Sequence, residues 1–131
     1  MGPSERRTTK VLLVDDHAPF LRTARLLLAA GGYDVVGEAG TATEGFDQAL
    51  LAQPDLVVID IALQDGSGIA LAARLAELRP RPRTVLVSSR DAEDYSAAAR
   101  ASGAAGFLTR AEFSIEELEA LIDDDPPAAA P

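Results

Sequence analysis

Short apolar runs alternate along the chain with longer stretches in which apolar residues recur at helical spacing. Five short runs are mostly β-branched or aliphatic, which is typical of strands buried on both faces of a sheet. They cover residues 11–14, 35–36, 56–59, 85–87 and 106–108. The helical stretches cover residues 18–30, 42–52, 68–78, 92–102 and 115–122. Strands that alternate with helices pair in parallel through right-handed crossovers, so the pattern predicts an α/β fold with a doubly wound, five-stranded parallel sheet.

Local signals at the helix ends support these boundaries. Thr41 with Glu44 and Ser114 with Glu117 each fit a capping box, and Gly103 follows a predicted helix. The segments 1–9 and 123–131 hold few residues that could pack, and the second is rich in proline and alanine. We therefore expect one domain over residues 10–122, a disordered segment before it, and after it a disordered tail or a truncated interdomain linker.

The composition suits one domain with an ordinary core. The chain has 131 residues, of which 47% are hydrophobic, and it has no cysteine. The missing thiols exclude zinc–thiolate sites, iron–sulfur clusters and disulfides. No apolar run reaches the roughly 18 residues of a membrane span, and the first residues lack the apolar core of a signal peptide. We expect a cytoplasmic protein that does not interact with membranes.

The negative charge is concentrated at the C-terminal end. The chain has 21 acidic and 12 basic side chains, for a formal net charge of −9. Residues 112–131 hold seven of the acids and none of the bases, and eleven of the 12 bases are arginine. Binders of nucleic acid concentrate lysine and arginine instead. The charge therefore predicts that this domain itself does not bind nucleic acid.

Polar residues follow four of the five predicted strands. They are Asp15-Asp16, Asp60, Ser88-Ser89 and Thr109-Arg110. In an open parallel sheet these positions share one edge, where ligands bind. Three neighbouring carboxylates repel one another, and a divalent cation relieves the repulsion. An all-oxygen ligand set favours Mg²⁺, with Mn²⁺ as the alternative.

Asp60 is the acid best placed to accept a phosphoryl group. Asp15 and Asp16 are adjacent and offer oxygens as a pair to a cation, whereas Asp60 stands alone on the central strand. Phosphoryl transfer depends on positioning and on charge neutralisation, and a cation together with Arg110 supplies the second. The Ser88 hydroxyl can donate a hydrogen bond to a phosphoryl oxygen.

The chain resembles the response regulator receiver domain (CheY-like) over about residues 10–122. The resemblance rests on three motifs in the right order and spacing, at residues 11–17, at 54–60 with 65–68, and at 103–108. The start at Asp15-Asp16-His17 and the segment 36–39 look most like the NarL-type branch. This resemblance implies a flavodoxin-like (βα)5 sandwich with strand order 2-1-3-4-5, and a phosphoprotein of a two-component system.

The resemblance also implies roles for individual residues. Asp60 would be the phospho-acceptor, loaded by a sensor histidine kinase, and the backbone carbonyl of Ala62 would join the three aspartates as a Mg²⁺ ligand. Ser88 and Phe107 would be the switch residues, with Arg110 as a cation facing the phosphoryl group. The protein would not be an enzyme, although it would assist its own phosphorylation and dephosphorylation.

Further implications concern output. Phosphorylation would reshape the face made by the fourth helix, the fifth strand and the fifth helix, through which the domain could form a homodimer. Receivers of the NarL-type branch are commonly followed by a DNA-binding domain, which would make the full protein a transcription regulator.

Two departures from the family pattern affect the site. The family has a lysine where this chain has Arg110. The next residue here is Ala111, where the family usually has proline, and Gln64 also stands where the family often has proline. Arginine keeps the charge but is longer and planar. These departures leave open an alternative, an atypical receiver that binds proteins independently of phosphorylation. A phosphatase on the same fold is disfavoured, because Ala62 replaces the second acid that such phosphatases use. A flavin-binding module is disfavoured because Asp16-His17-Ala18-Pro19 stands where its phosphate loop would be rich in serine, threonine and glycine.

Overall fold

A five-stranded parallel sheet forms the centre of the protein. The computed structural model describes residues 9–89 and 95–124. The sheet strands are β1 (Lys10–Val14), β2 (Asp34–Ala39), β3 (Leu56–Asp60), β4 (Arg83–Ser88) and β5 (Gly106–Thr109). Their order is β2-β1-β3-β4-β5, and every neighbouring pair is parallel. The predicted sheet and its strand order are therefore confirmed.

Helices connect the strands and cover both faces of the sheet. They are α1 (Ala18–Ala30), α2 (Ala42–Ala52), α3 (Gly68–Leu75), α4 (Ser96–Ala101) and α5 (Ile115–Asp124). A short antiparallel hairpin, Ala62–Leu63 with Gly66–Ser67, lies between β3 and α3. A single 3₁₀ turn, Arg110–Glu112, follows β5.

The core is divided by the sheet into two layers. Because side chains alternate along a strand, Leu12 and Val57 face one layer whereas Val11 and Val58 face the other. All five residues of β3 are buried. Burial of apolar surface stabilises the fold by about 25 cal/mol per Å². Because β3 is central and fully buried, the position of its last residue, Asp60, is fixed.

Some element boundaries differ from the predicted ones. β2 is longer than residues 35–36, because an edge strand tolerates the polar, half-exposed positions that flank its valines. α3 ends at Leu75, and the amides of Glu77 and Leu78 bond instead to carbonyls three residues earlier, which tightens the last turn. α5 continues to Asp124, two residues past its predicted end.

Other predictions fall partly or wholly outside the described residues. Residues 1–8 and 125–131, which make up most of the two predicted disordered segments, are not described, and neither are residues 90–94, which include the predicted start of the fourth helix. Within the part of the chain that is described, no helix is both long enough and apolar enough to cross a membrane.

The Thr41 and Ser114 side chains make the cap bonds predicted for them. Thr41 Oγ1 accepts a bond from the Glu44 amide at 3.1 Å, and Ser114 Oγ accepts one from the Glu117 amide at 3.1 Å. The Glu44 carboxylate bonds to the amide of Gly40 rather than to that of Thr41, so the first capping box is shifted by one residue. Caps satisfy amides that would otherwise lack partners at a helix start.

Candidate functional site

Three aspartates meet at the carboxyl edge of the sheet. Asp60 ends β3, and Asp15 directly follows β1, the strand beside it. Oxygens of Asp15, Asp16 and Asp60 all lie within 4.8 Å of one another. Asp15 and Asp60 are buried, with 2% and 5% of their surface exposed, whereas Asp16 is exposed. The sequence prediction that these acids converge agrees with this arrangement.

Arg110 bridges the two buried aspartates. Its Nη2 lies 3.0 Å from Asp15 Oδ1, 3.2 Å from Asp15 Oδ2 and 3.0 Å from Asp60 Oδ2. Ion pairs of this kind are strengthened by burial, which limits screening by water and salt. The cation after β5 therefore faces both acids, at the edge of the open pocket.

The turn after β5 sets the position of Arg110. Thr109 Oγ1 accepts a bond from the Glu112 amide at 3.2 Å, and the Glu112 carboxylate accepts one from the Thr109 amide at 2.9 Å. This reciprocal capping box holds the 3₁₀ turn at both ends. Ala111 occupies this turn where the family usually has proline, so the capping box supplies the local order that proline would give.

Aromatic side chains line the inner side of Arg110. Its guanidinium carbon lies 5.6 Å from the centre of the Phe20 ring, within cation–π range. Phe20 in turn meets Phe113 edge to face, with ring centres 5.3 Å apart. Phe20, in the first turn of α1, therefore packs beside the guanidinium, and Phe113, after the 3₁₀ turn, packs against Phe20.

Burial makes the charge on Asp60 costly. The pKa of Asp60 is raised above its usual 3.8, chiefly because burial desolvates the carboxylate and also because Asp15 is close. The Ala62 amide, 3.2 Å from Asp60 Oδ1, and the Arg110 guanidinium act in the opposite direction. The net effect is that the ionised form of Asp60 is disfavoured, so additional positive charge would stabilise it.

The donor set fits a hard divalent cation. Three carboxylates with neighbouring oxygens are the ligands that Mg²⁺ prefers, with waters completing its coordination. A cation at this position would also relieve the repulsion that raises the pKa of Asp60. Within the described residues, the one cluster of side chains that could hold a metal consists of carboxylates alone.

Of the two predicted switch residues, Ser88 lies beside the acids and Phe107 lies in the core. Ser88 ends β4 and is buried, with 7% of its surface exposed. An open pocket at the sheet edge is lined by both Ser88 and Asp60, as well as by Arg110. Phe107, at 8% exposure, packs in the core on β5, with its ring centre 5.8 Å from that of Tyr95. The structure brings Asp15, Asp16, Asp60, Ser88 and Arg110 together, whereas Phe107 is not among the residues that line the pocket.

Tyr95 is a pocket residue that sequence reasoning missed. It lines the same pocket as Asp60 and Ser88, and it precedes the first residue of α4. No motif marks it, because its contact with Phe107 depends on how the start of α4 packs against β5. Its position in the connection after β4, at the edge where ligands bind, is the one signal that could have identified it.

The loop after Asp60 is held by contacts to α2. The Asp65 carboxylate accepts bonds from the Ala42 amide at 2.7 Å, the Thr43 amide at 3.0 Å and the Thr43 hydroxyl at 2.9 Å. These bonds lower the pKa of Asp65, although the side chain is exposed. The family often has proline where this chain has Gln64, and here three bonds between Asp65 and α2 hold the loop.

Gly68 allows α3 to approach the backbone of Asp60 closely. A Cβ at this position would lie 2.1 Å from the Asp60 carbonyl oxygen. The Gly68 amide donates to the Ile61 carbonyl at 2.8 Å, so the start of α3 lies directly against the strand end. This close approach fixes the backbone of Asp60, from which the carboxylate side chain extends.

Comparisons with known proteins agree with this geometry. The family model described as response regulator receiver domain matches residues 11–123. The DNA-binding transcriptional activator DevR/DosR of Mycobacterium tuberculosis is 36% identical over 115 residues, which are 87% of this chain and 53% of that protein. The transcription regulator BvgA of Bordetella pertussis is 35% identical over 112 residues, or 85% of this chain and 53% of that protein.

A solved structure shows the same fold. The signal receiver domain of NarL from Mycobacterium tuberculosis superimposes with a TM-score of 0.80 at 27% identity, covering 92% of this chain and 98% of that one. This chain spans about half the length of the two curated relatives. These relatives do not favour the alternative of a phosphorylation-independent binding module. The chain belongs to the response regulator receiver domain family, the phospho-accepting signalling module of two-component systems.

Proposed function

We propose that this domain accepts a phosphoryl group on Asp60 from a sensor histidine kinase, in a reaction that requires Mg²⁺, and thereby changes a protein-binding face. The observation that carries the proposal is the position of Asp60 in an open pocket, next to Asp15, Ser88 and Arg110. The raised pKa of Asp60 supports it further, because a strained carboxylate that lacks sufficient counter-charge is typical of a functional site.

The chain's own residues account for the chemical step. A carboxylate oxygen of Asp60 forms a bond to phosphorus while the bond from phosphorus to the kinase imidazole nitrogen breaks, and the electron pair remains on that nitrogen. The guanidinium of Arg110 neutralises charge on the phosphoryl oxygens, and the Ala62 amide positions Asp60 through Oδ1. Mg²⁺, held by Asp15, Asp16, Asp60 and the Ala62 carbonyl, would neutralise the same oxygens. The same groups would assist hydrolysis of the aspartyl phosphate.

The switch follows from the neighbours of Asp60. The buried Ser88 hydroxyl would donate to a phosphoryl oxygen, and Phe107 would adjust to the space that Ser88 leaves. Phe107 contacts Tyr95 at the start of α4, so its movement would reach the surface formed by α4, β5 and α5. That surface would bind partners, including a second copy of this domain. Only the difference in contacts between the two states can shift their populations.

The wider context is also a proposal. The receiver domain would occupy residues 10–122 of a cytoplasmic protein, with residues 1–9 and 123–131 outside its core. Because the relatives are about twice as long and regulate transcription, a DNA-binding domain would follow this one in the full protein. The negative charge of the present chain supports nucleic-acid binding by that second domain rather than by this one.

Mass spectrometry of the intact protein tests the phospho-acceptor. The protein is incubated with Mg²⁺ and a small phosphodonor, and we expect a gain of one phosphoryl mass that disappears with EDTA and in Asp60→Asn. Asp47→Asn serves as the matched control, because Asp47 is an exposed acid on α2. A phosphoryl gain that persists in Asp60→Asn contradicts the assignment of the acceptor, and no gain in the wild type contradicts the function.

A further inference from the structure

A short hairpin carries the backbone that follows Asp60. Its strands are Ala62–Leu63 and Gly66–Ser67, and they pair antiparallel. The carbonyl of Ala62, in the first strand, is one of the expected Mg²⁺ ligands, and both residues of the second strand are exposed. A two-stranded hairpin is marginally stable on its own. The position of the Ala62 carbonyl therefore depends on what else holds the hairpin.

Asp65, in the turn of this hairpin, binds the first residues of α2. Its Oδ1 accepts the Ala42 amide at 2.7 Å, and its Oδ2 accepts the Thr43 amide at 3.0 Å and the Thr43 hydroxyl at 2.9 Å. Amides at a helix start have no partner within the helix, and a carboxylate is a favourable acceptor for them. We call these three bonds the Asp65 clamp.

The start of α2 is itself held against the strand end that carries the other two acids. Only two residues separate the end of β2 from the start of α2. The Asp15 amide donates to the carbonyl of Ala39, the last residue of β2, at 2.9 Å. A Cβ on Gly40 would lie 3.9 Å from Asp16 Cβ. The Asp65 clamp therefore joins the hairpin after β3 to the part of the chain beside Asp15 and Asp16.

The other end of the hairpin is anchored separately. Ser67 Oγ accepts the Ile69 amide at 3.0 Å, at the start of α3. The Gly68 amide donates to the Ile61 carbonyl at 2.8 Å. Gln64, in the turn, lacks the fixed backbone angle that a proline would supply there. The Asp65 clamp thus constrains the turn, whereas the two other bonds constrain the junction with α3.

We propose that Asp65 is a positioning residue for the metal site, whose clamp to α2 holds the Ala62 carbonyl beside the acids that follow β1. This inference rests on the proposed function, because it concerns the same Mg²⁺ site. Asp65 acts from outside the site, since both of its carboxylate oxygens bind α2. A ligand set that is already ordered binds more tightly, because the free energy of ordering the loop is not spent during binding.

Positioning has a reciprocal consequence. If the Asp65 clamp favours the arrangement that binds Mg²⁺, then Mg²⁺ favours the clamp by the same factor. The amides of Ala42 and Thr43 should therefore exchange more slowly with solvent when Mg²⁺ is present, although neither residue is an expected ligand. A residue that only stabilised the loop, without organising the site, would leave this exchange unchanged.

An NMR titration with Mg²⁺ alone measures the affinity without any phosphorylation. The Ala62 amide reports on the site, because it donates to the carboxylate of the phospho-acceptor. The wild type is compared with Asp65→Ala and with Thr43→Val, which removes one bond of the clamp and no charge. Glu44→Gln is the matched control. It removes a negative charge from an exposed acid at the same helix start and keeps an oxygen that can accept a hydrogen bond.

The expected losses of Mg²⁺ affinity follow the number of clamp bonds removed. Asp65→Ala should weaken binding by about tenfold, as for other groups that orient metal ligands. Thr43→Val should weaken it by about threefold, as for one lost hydrogen bond, and Glu44→Gln by no more than about 1.5-fold. In the Asp65→Ala background, Thr43→Val should cause no further loss, because its partner is already absent. The ratio between the wild type and Asp65→Ala should persist at higher ionic strength, since salt screens charge and not geometry.

The results that overturn the inference differ from those that overturn the proposed function. Equal losses in Asp65→Ala and Glu44→Gln would show that Asp65 acts through its charge alone, and unchanged affinity in Asp65→Ala would show that the clamp positions nothing. Either result leaves the metal site intact. The absence of any Mg²⁺-dependent shift in the wild type and in every variant would remove the metal site, and with it both proposals. If Asp65→Ala fails to fold, Thr43→Val and the amide exchange of the wild type decide the question.

Discussion

The two edges of the central sheet carry similar residue types in opposite conditions. At the carboxyl edge, Asp15 and Asp60 are buried and bridged by Arg110. At the amino edge, Asp55 is exposed and accepts the Lys10 amide at 2.8 Å, while Lys10 Nζ donates to the Ala52 carbonyl at 3.1 Å. The carboxyl edge keeps its acids away from water at an energetic cost. The amino edge leaves its charges in contact with water and hydrogen-bonded.

This difference indicates which edge has been shaped by function. A buried pair of carboxylates that repel each other destabilises the fold, because the free energy of desolvating the charges exceeds the attraction gained from a single counter-ion. It is useful where a cation and a phosphoryl group are to be bound. The amino edge, by contrast, uses its charges only to complete hydrogen bonds at a strand start. Substitutions of the same kind should therefore have different consequences at the two edges.

The largest effect is expected from Gly68→Ala, which would crowd the carboxyl edge. Its Cβ would lie 2.1 Å from the Asp60 carbonyl oxygen, so α3 would have to move away from β3. We expect the free energy of unfolding in urea to fall by about 3 kcal/mol. Gly40→Ala is the control, because a Cβ there would have no neighbour closer than 3.9 Å. Equal losses in the two variants would contradict the role given to the close approach.

The next effect is a stabilisation. Asp60→Asn removes a desolvated charge that Asp15 repels, and it keeps the shape of the side chain. In metal-free buffer at neutral pH, we expect Tm to rise by roughly 2–5 °C. At the amino edge, Asp55→Asn should instead lower the stability by about 0.5 kcal/mol, because it weakens the bond from the Lys10 amide. A fall in Tm for Asp60→Asn would remove the contrast between the edges.

The pH dependence of stability separates Asp60 from an acid with the opposite shift. The folded-state pKa of Asp60 is raised, so the cost of its charge is fully present above that pKa and is lost as the pH falls towards 3.8. The advantage of Asp60→Asn over the wild type should shrink in this window. The pKa of Asp65 is lowered, so its stabilising contribution is present above 3.8 and is lost only as the pH falls below it.

Urea titrations across the acidic range measure this difference. The gap between the wild type and Asp65→Asn should stay constant from neutral pH down to about 4, while the gap for Asp60→Asn closes. Parallel behaviour of the two variants would mean that burial and repulsion do not set the protonation of Asp60.

The sequence predicts the positions of the strands and acids well, because both depend on local pattern. The continuous apolar run of β3 places Asp60 at a strand end, and parallel pairing with β1 then brings it to Asp15. The sequence also places Arg110 near the site. The bridge to both acids and the packing of Phe20 against Phe113 join elements far apart in the chain and have no local signature.

Other features depend on backbone distances or on competing local bonds. The approach of Gly68 to Asp60 requires the exact placement of α3, which the hydrophobic pattern does not contain. The early end of α3 reflects a switch to bonds three residues apart, as for the Leu78 amide, whereas its apolar spacing continues. Asp65 reads as a turn residue, and its bonds to the first residues of α2 appear only once the loop is folded.

The smallest effect is expected at the amino edge. Lys10→Ala removes one exposed bond from Nζ to the Ala52 carbonyl and leaves the Lys10 amide bound to Asp55. The freed carbonyl can bond to water, so the unfolding free energy should change by no more than about 0.5 kcal/mol. Arg110→Ala, measured without metal, should cost several times more, because it leaves two buried carboxylates facing each other. If the two cations prove equally dispensable in urea denaturation, burial does not distinguish the edges. If Arg110→Ala alone is costly and added Mg²⁺ recovers the loss, the carboxyl edge depends on a cation in a way that the amino edge does not.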